Sequence, residues 1–560
     1  MSCKNFLCVL LAAFLIASFV GCSVEADKSE QTTTADTANE NNGSASSTIL
    51  SDMFSDRDIE VGYDENTDTV ITLSDGKTVC SDSSVSVTDS TVTITKAGTY
   101  ILKGTLSDGS IVIDADKSDK LHIVLDGVDI TKSTTAPFYV KCADKVFVTL
   151  APNTENTLTN TGEFTAIDDN NIDACIFSKD DITFNGSGSL TVTSEKGHGI
   201  VSKDTLCFTG GSYSVTSSER HALSAKDDIR IRDGIFTLSA GKDGLNADND
   251  EDSTLGFIYI EGGTFDITAG DDGMHAGSSL RILGGTVNVT KSYEGLEGHT
   301  VEISGGDITV KSSDDGLNAA GGDSSDNPTA TETDTWIRIS GGTVKIDAEG
   351  DGIDSNGDLY ILGGTVTVCG PTGGGDGALD YGERATAKIT GGTVFAFGSA
   401  SMAENFTEAE NQGAALVSLS GNAGDTVSVK GSDGTLLASA ASDKKYECVV
   451  VSCPGMTENG TFTLTNGTTD KEFTLDGFLY GEGGMNGGFG GKGGKAFPNG
   501  EISSDFDGQP PEMPNGESFT DENGNRITMP DRGDGKEPPT GSDGRPERPD
   551  SDNTDSKKTA

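Results

Sequence analysis

The sequence predicts an all-β fold, specifically a parallel β-solenoid built from stacked coils. Between residues 174 and 397 the chain repeats in lines of about 22 residues, as in GMHAGSSLRILGGTVNVTKSYE followed by GLEGHTVEISGGDITVKSSDD. Each line has an alternating strand, a Gly-Gly corner, a second alternating strand and an acidic residue before the next Gly. Such self-similarity is the signature of a solenoid, in which each repeat packs only on its neighbours.

Paired apolar residues recur at equivalent positions and predict the core. Side chains alternate across a strand, so both members of each pair point inward. Before the corner the pairs are Ile229/Ile231, Ile258/Ile260, Leu280/Ile282, Val301/Ile303, Ile337/Ile339 and Leu359/Ile361. After the corner they are Phe265/Ile267, Val287/Val289, Ile308/Val310, Val344/Ile346, Val366/Val368 and Val394/Ala396. The glycines between them are expected to have positive φ or no room for a Cβ.

The N-terminal residues predict export and a lipid anchor. Residues 1–22 combine Lys4 with a short apolar run and read as a signal peptide. Phe19-Val20-Gly21-Cys22 resembles a bacterial lipobox, which implies cleavage before Cys22 and lipidation of its thiol. Such an anchor places the protein at the outer face of a membrane, with ordinary signal cleavage as the alternative.

The rest of the chain divides by composition into five predicted segments. Residues 23–50 are polar and predict a disordered tether. Residues 51–160 predict an N-terminal cap with the first coils, and residues 161–403 predict the parallel β-helix proper. Residues 404–480 lose the Gly-Gly register but stay β-rich, which predicts a C-terminal cap or module. Residues 481–560 are Gly-rich and then acidic, which predicts a disordered tail.

The charge balance restricts the partners. The formal net charge is −50, and no basic cluster is available to neutralise phosphates, so nucleic acid is excluded as a partner. Binding of an anionic polymer is unfavourable as well, unless cations lie between the two.

Two columns of polar residues predict bound calcium. The coil openings carry Asp243, Asp272, Glu294, Asp315, Asp351 and Asp376, and a second donor follows at Asn246, His275, Glu297, Asn318, Asp354 and Asp380. Stacked carboxylates about 5 Å apart repel one another unless a cation or proton intervenes. Ca²⁺ takes six to eight oxygen ligands, which adjacent coils and water supply. His275 is expected to stack or hydrogen-bond rather than ligate.

The alternative is that Asp-Gly merely forms good turns. A turn alone accepts Asn-Gly or Ser-Gly equally well, whereas five Asp and one Glu open these six coils. The charge itself therefore favours cation binding.

A file of residues on the outer side of the pre-corner strands predicts a sugar-binding surface. This outward file contains Arg230, Tyr259, Arg281, Glu302, Arg338, Tyr360 and Lys388. Tyr rings and Arg guanidinium groups suit sugar rings and carboxylates, and Trp336 on the adjoining strand edge extends the surface. The alternative is an ordinary solvated sheet face of mixed charge.

Catalysis has weak support in the sequence. No Ser/His/Asp arrangement or phosphate-binding Gly loop is suggested. Carboxylate pairs recur in coil after coil, whereas an active site is a unique place. A lyase needs a base, for which Lys242, Lys291, Lys311 or Arg281 are candidates.

The chain resembles the secreted carbohydrate-binding β-helix lipoproteins of clostridia and their relatives. The similar phrases include GTYILKGTLSDGSIVIDA, FDITAGDDGMHA and IRISGGTVKIDAEGDGIDSNGDLYILGGTV, within residues 80–490. The resemblance implies a right-handed parallel β-helix similar to polysaccharide lyases, which binds calcium and cellulose-like or polygalacturonate polymers. The resemblance implies calcium ligands at Asp243, Asp272, Asp315 and Asp351, whose D-G-[LMI]-[NHD] motifs match those of the family. At Glu294 and Asp376 the sequence departs from this motif.

The sequence therefore predicts a monomeric, non-catalytic, lipid-anchored protein that binds polysaccharide at the cell surface. Two alternatives stay open, a calcium-dependent pectate lyase and a structural surface protein or adhesin.

Overall fold

The computed structural model describes residues 53–320 and 334–481. The predicted signal peptide, Cys22, the tether and nearly all of the C-terminal tail lie outside the described residues, as does most of the insertion at 321–335. Where the chain is described, no helix has the length and apolarity required to cross a membrane.

The described elements are one short helix and a long series of strands, so the all-β prediction is confirmed. The N-terminal elements are α1 (Asp56–Ile59), β1 (Thr69–Leu73), β2 (Val85–Thr88), β3 (Thr91–Ile94), β4 (Gly98–Leu106), β5 (Ser110–Asp114), β6 (Lys120–Lys132), β7 (Phe138–Cys142), β8 (Lys145–Leu150) and β9 (Glu155–Asn160). The next are β10 (Ala174–Ser178), β11 (Asp181–Gly186), β12 (Ser189–Ser194), β13 (His198–Ser202), β14 (Thr205–Phe208), β15 (Ser212–Ser217), β16 (Leu223–Ala225), β17 (Asp228–Ile231), β18 (Ile235–Ala240), β19 (Leu245–Ala247), β20 (Phe257–Ile260), β21 (Thr264–Thr268), β22 (Met274–Ile282) and β23 (Thr286–Ser292).

The remaining strands follow the same order along the chain. They are β24 (Leu296–Ile303), β25 (Asp307–Ser312), β26 (Leu317–Ala319), β27 (Trp336–Ile339), β28 (Thr343–Ala348), β29 (Ile353–Ser355), β30 (Asp358–Ile361), β31 (Thr365–Cys369), β32 (Leu379–Tyr381), β33 (Ala387–Ile389), β34 (Thr393–Gly398), β35 (Glu408–Ala409), β36 (Ala414–Val417), β37 (Thr426–Gly431), β38 (Leu436–Ala441), β39 (Cys448–Ser452), β40 (Thr461–Thr465), β41 (Asp470–Thr474) and β42 (Leu479–Gly481).

Strand pairing stacks the repeats in parallel. Each coil contributes a short opening strand, a pre-corner strand and a post-corner strand, and each pairs in parallel with its counterpart in the next coil. For example, β13, β14 and β15 pair with β16, β17 and β18. The pairing confirms stacked parallel coils, whereas the right-handed winding stays a prediction.

The predicted core pairs point inward and are buried. Ile258 and Ile260 have no solvent exposure, and neither do Ile337 and Ile339 in a later coil. They align in register with the pairs above and below. One continuous apolar cluster therefore runs through the coils, and it fixes which residues must face outward.

The C-terminal region changes its pairing pattern. Strand β39 is antiparallel to β34 and β36, and β37, β38, β40 and β41 form a separate antiparallel sheet. A second apolar cluster packs beneath them. After residue 403, where the Gly-Gly register is lost, antiparallel pairing appears, although β35 still pairs in parallel with β33 and β36 with β42. The limits of the six sequence segments stay predictions.

The corner glycines are required by conformation and space. Gly285 has φ +92°, and a Cβ on it would lie 2.6 Å from the carbonyl oxygen of Gly263 in the previous coil. We expect Gly285→Ala to lower the free energy of unfolding by about 2 kcal/mol. A Cβ on Gly373 would meet no atom within 4 Å, so Gly373→Ala is the matched control. Urea denaturation of both variants checks this, and equal stabilities would contradict it.

Candidate functional site

The acidic column is held in place by the backbone of the following coil. The Asp272 amide donates to Asp243 Oδ1 at 3.1 Å, and the Glu294 amide donates to Asp272 Oδ1 at 3.3 Å. The Asp351 amide donates to Asp315 Oδ1 at 2.6 Å. At these three steps the backbone just before the opening strand fixes the carboxylate of the coil before it, a contact that follows from the stacking register.

The second column is aligned by the same opening strands. Asn246 pairs with His275, His275 with Glu297, and Glu297 with Asn318. Further along, Asp354 pairs with Asn318 on one side and Asp380 on the other. The predicted second column is therefore one continuous register file, including Asp380, which stands one place later in its own repeat.

Within residues 53–320 and 334–481, column residues together with Asp271 form three compact clusters. Within each cluster the possible ligand atoms lie within 4.8 Å of one another. The clusters are Asp243/Asp271/Asp272, Asp272/His275/Glu297 and Asp315/Asp351/Asp354. Asp272 belongs to two of them, so neighbouring coils share a carboxylate.

Burial makes ionisation of several column acids unfavourable in the absence of a cation. Burial and the neighbouring Asp351 charge raise the pKa of Asp315 to about 9. Burial and Asp354 raise the pKa of Asp351 to about 8. For Asp272, burial holds the pKa well above its usual range despite the hydrogen bond from His275. Like charges this close need protons or a cation between them.

Two imidazoles lie against the acids at the upstream end of the column. Burial opposes ionisation of Asp243, but the charge and hydrogen bond of His221, whose Nδ1 lies 2.9 Å from Asp243 Oδ2, keep the Asp243 pKa below its usual range. His275 Nδ1 lies 2.5 Å from Glu297 Oε2 and 3.5 Å from Asp272 Oδ2. Despite its burial, these hydrogen bonds hold the pKa of His275 well above its usual range. His275 thus forms the expected hydrogen bonds.

Two clusters, Asp315/Asp351/Asp354 and Asp243/Asp271/Asp272, offer only carboxylate oxygens, which suit a hard divalent cation. In the second cluster His221 already lies 2.9 Å from Asp243, so we take the first, in which Asp315 is 7% and Asp351 6% exposed, as the better cation site. Ca²⁺ prefers oxygen ligands in a flexible arrangement. A bound cation would supply the positive charge that these groups otherwise obtain by protonation.

Asp376 does not continue the first column. The Gly377 amide, rather than the Asp376 amide, donates to Asp351 Oδ1. Asp376 therefore stands one place before the register position, at the end of the extra residues 371–375. Asp380 is fixed in register, and burial raises its pKa.

Sequence reasoning missed a mixed-charge cleft at the upstream end of the columns. Its volume is about 410 Å³, and it is lined by residues that include His198, Arg220, His221, Lys242, Asp243 and Asp271. The rings of His198 and His221 stack with centroids 5.0 Å apart. The available signal was the repeat period, which places both histidines in coils preceding Asp243.

The downstream half of the outward file consists of half-buried side chains that form one aromatic and cationic surface. The Arg338 guanidinium carbon lies 4.4 Å from the Trp336 ring centroid and 5.7 Å from that of Tyr360. Glu302 is close to Arg281 on one side and Arg338 on the other, at 3.6 and 3.9 Å. We call the residues Trp336, Arg338 and Tyr360 the platform.

The upstream half of the file is covered, contrary to expectation. Residues 53–60, here called the strap, lie over it. The Phe54 ring is 6.3 Å from that of Tyr259, which is only 1% exposed. Arg230 is held by two hydrogen bonds to Asp228 and donates to the Met53 carbonyl oxygen at 3.3 Å. Another segment of the chain therefore covers Tyr259 and contacts Arg230, whose side chain is still 27% exposed.

Comparisons with known proteins point to one family. A family model described as carbohydrate-binding domain-containing protein matches residues 88–323 and 278–477. A carbohydrate-binding domain-containing protein of Acetivibrio thermocellus is 41% identical over 128 residues, 22% of this chain and 45% of that protein. The chain thus spans less than half of that relative's length.

A solved structure is also similar. It is described as the structure of the polysaccharide lyase-like protein from C. thermocellum, gadolinium derivative. It shares 30% identity, with 50% of this chain and 95% of that chain covered, at a TM-score of 0.38. Because the family model matches well over half of the chain, the protein belongs to the family of carbohydrate-binding domain-containing proteins.

Proposed function

We propose that this protein binds polysaccharide without cleaving it. The observation that carries the proposal is the platform, where Arg338 lies beside the rings of Trp336 and Tyr360 on the outer face of the sheet and all three side chains are partly exposed. Sugar rings present apolar C–H faces that pack on aromatic rings, and hydroxyl or carboxylate oxygens that accept from a guanidinium. Membership of a carbohydrate-binding family supports the same partner.

Calcium along the two columns is the second part of the proposal. The column residues Asp243, Asn246, Asp272, Glu294, Glu297, Asp315, Asn318, Asp351, Asp354 and Asp380 are the proposed ligands, with Asp376 as an additional one. The support is the cluster of Asp315, Asp351 and Asp354, whose oxygens converge within 4.8 Å. Bound calcium supplies the charge neutralisation that lets adjacent coils stack with ionised acids.

The polymer class and location follow from charge and from the N-terminus. A chain with a net charge of −50 binds either a neutral, cellulose-like polymer or a pectic polymer with calcium between the two. Lipidation of Cys22 would hold a monomer, wound as a right-handed parallel β-helix, at the outer face of a bacterial membrane.

Co-sedimentation with insoluble polysaccharides tests this function. We expect retention on cellulose or on polygalacturonate coupled covalently to a resin in calcium buffer, and weaker retention on the polygalacturonate resin after chelation. A serum albumin control corrects for non-specific retention. Absence of retention on both polymers, with and without chelator, would rule the proposal out.

A lyase is the second candidate because Lys242 and Arg220 line the same cleft as Asp243, Asp271 and Asp272. In such a site a cation would neutralise a uronate carboxylate, a basic side chain would remove the C5 proton, and the C4–O glycosidic bond would break, with the departing oxygen taking a proton from solvent. Incubation with polygalacturonate and calcium would then produce an unsaturated product that absorbs ultraviolet light. We expect no such absorbance; a rise that Lys242→Ala abolishes would favour the lyase.

A further inference from the structure

The two ends of the strap differ in how many contacts hold them to the coils. At its C-terminal end Asp58 is buried, and its carboxylate contacts Lys145 Nζ at 2.8 Å and Thr183 Oγ1 at 2.6 Å. The Asp58 carbonyl oxygen also accepts from Thr209 Oγ1 at 2.8 Å. This end crosses several coils and is fixed by charge and hydrogen bonding together.

The N-terminal end of the strap has fewer contacts. Its contacts with the outward file are the Met53 carbonyl oxygen on Arg230 and the Phe54 ring beside Tyr259. Ser55 and Asp56, between the two ends, are exposed. The Asp58 end is therefore an anchor, and the Met53–Phe54 end is the part that can lift from the sheet without breaking the buried ion pair.

The strap and the platform lie on one register file. Strand pairing aligns, coil after coil, Thr183, Cys207, Arg230, Tyr259, Arg281, Glu302, Arg338, Tyr360 and Lys388. The strap contacts the upstream members, whereas those from Arg281 onward are half-buried without contact to the strap. An extended chain lying along the stacking direction would meet these members in turn.

The contacts of the strap use the same chemistry as the platform. Phe54 places a ring against Tyr259, and Met53 places a carbonyl oxygen on the Arg230 guanidinium. The downstream half of the outward file offers the same pair of groups, because the Arg338 guanidinium carbon lies 5.7 Å from the Tyr360 ring centroid. A polysaccharide presents ring faces and oxygens in comparable alternation.

We propose that the Met53–Phe54 end of the strap is an intrachain occupant of the carbohydrate surface, and that an extended polysaccharide displaces it to reach Arg230 and Tyr259. The proposal rests on the proposed function for its ligand. With the strap in place, the binding surface is limited to the coils from Arg281 onward. When the strap is displaced, the surface also includes the two coils that carry Arg230 and Tyr259. The strap competes with the polymer and so weakens its binding.

Phe54→Ala in the full chain tests the proposal, with Asp56→Asn as the matched control on the exposed side of the strap. The readout is the affinity for soluble carboxymethyl-cellulose and for polygalacturonate with calcium, measured by affinity electrophoresis. We expect Phe54→Ala to tighten binding roughly two- to tenfold, the range of one aromatic contact, while Asp56→Asn stays at the wild-type value. The double variant Phe54→Ala/Tyr259→Ala should lose the gain. Melting temperatures confirm that each variant is folded.

The outcomes separate this proposal from the proposed function. Equal affinities of Phe54→Ala and wild type would overturn the displacement of the strap and leave polysaccharide binding intact. A gain that persists in the double variant would also overturn it, because Tyr259 would then not be the uncovered contact. Absence of binding by wild type and by every variant would overturn both proposals.

Discussion

Replacing Asp315 and Asp351 together with asparagine is expected to stabilise the cation-free protein by several kcal/mol and to reduce its response to calcium. Burial and mutual repulsion raise the pKa values of these groups to about 9 and about 8, and each pKa unit corresponds to about 1.36 kcal/mol. Asparagine retains an oxygen for the amide of the next coil but carries no charge. Melting curves with calcium and with chelator measure both effects.

The pH dependence of the chelated protein gives the sign of this effect. A carboxyl whose pKa is raised on folding leaves the folded state fully stable below its unfolded pKa of about 4, and stability falls as pH rises towards the folded pKa. For Asp315 and Asp351 that interval runs from about pH 4 to their folded-state pKa values of about 9 and about 8. We therefore expect the melting temperature in chelator to fall between about pH 5 and pH 8, and saturating calcium to reverse the fall.

The control is Asp307→Asn, which removes an exposed acid of the same coil region outside the columns. It should leave both the calcium response and the pH profile of wild type unchanged. A double variant that is less stable than wild type in chelator, or that still gains from calcium as wild type does, would contradict the role assigned to these two acids.

Removing the platform rings in Trp336→Ala/Tyr360→Ala is expected to weaken polysaccharide binding by about 100-fold. Two stacking contacts worth about 1.4 kcal/mol each account for that factor. Arg338 also loses the rings at 4.4 and 5.7 Å that position its guanidinium. Depletion isotherms on insoluble polysaccharide measure the change.

Both rings project outward from strands whose inward residues form the core, so the fold should survive their removal. Ile337 and Leu359 beside them are fully buried and remain unchanged. Thr309→Ala, at an exposed position of a post-corner strand, is the control and should bind as wild type does. Wild-type affinity in the double variant would show that polysaccharide binds elsewhere.

The sequence predicted the repeating parts of the molecule because stacked coils require equivalent residues to recur at a regular spacing along the chain. Ile258 and Ile260 had to align with Leu280 and Ile282, and strand pairing confirms it. The same period placed Asn318 beside Asp354. Whether these columns bind calcium, and whether the file binds sugar, stay predictions.

The parts that the sequence did not reveal are those without a period. The strap contacts Thr183 and Thr209, which are more than a hundred residues away in the sequence. The amino-acid composition of the strap does not predict those contacts. Asp376 is not at the register position because the extra residues before it shift the coil opening to Gly377. The Gly377 amide, in place of an Asp376 amide, donates the hydrogen bond to Asp351. The alternation of apolar and polar residues along the strands predicts neither long-range packing nor the effect of local insertions.

A glycan array in calcium buffer, probed with wild type and with Trp336→Ala/Tyr360→Ala in parallel, tests polysaccharide binding at the platform most directly. The expected result is wild-type signal on β-linked, cellulose-like or on pectic glycans, with that signal lost in the variant. Signals of equal strength from both proteins, or no signal from wild type on any polysaccharide, would contradict it.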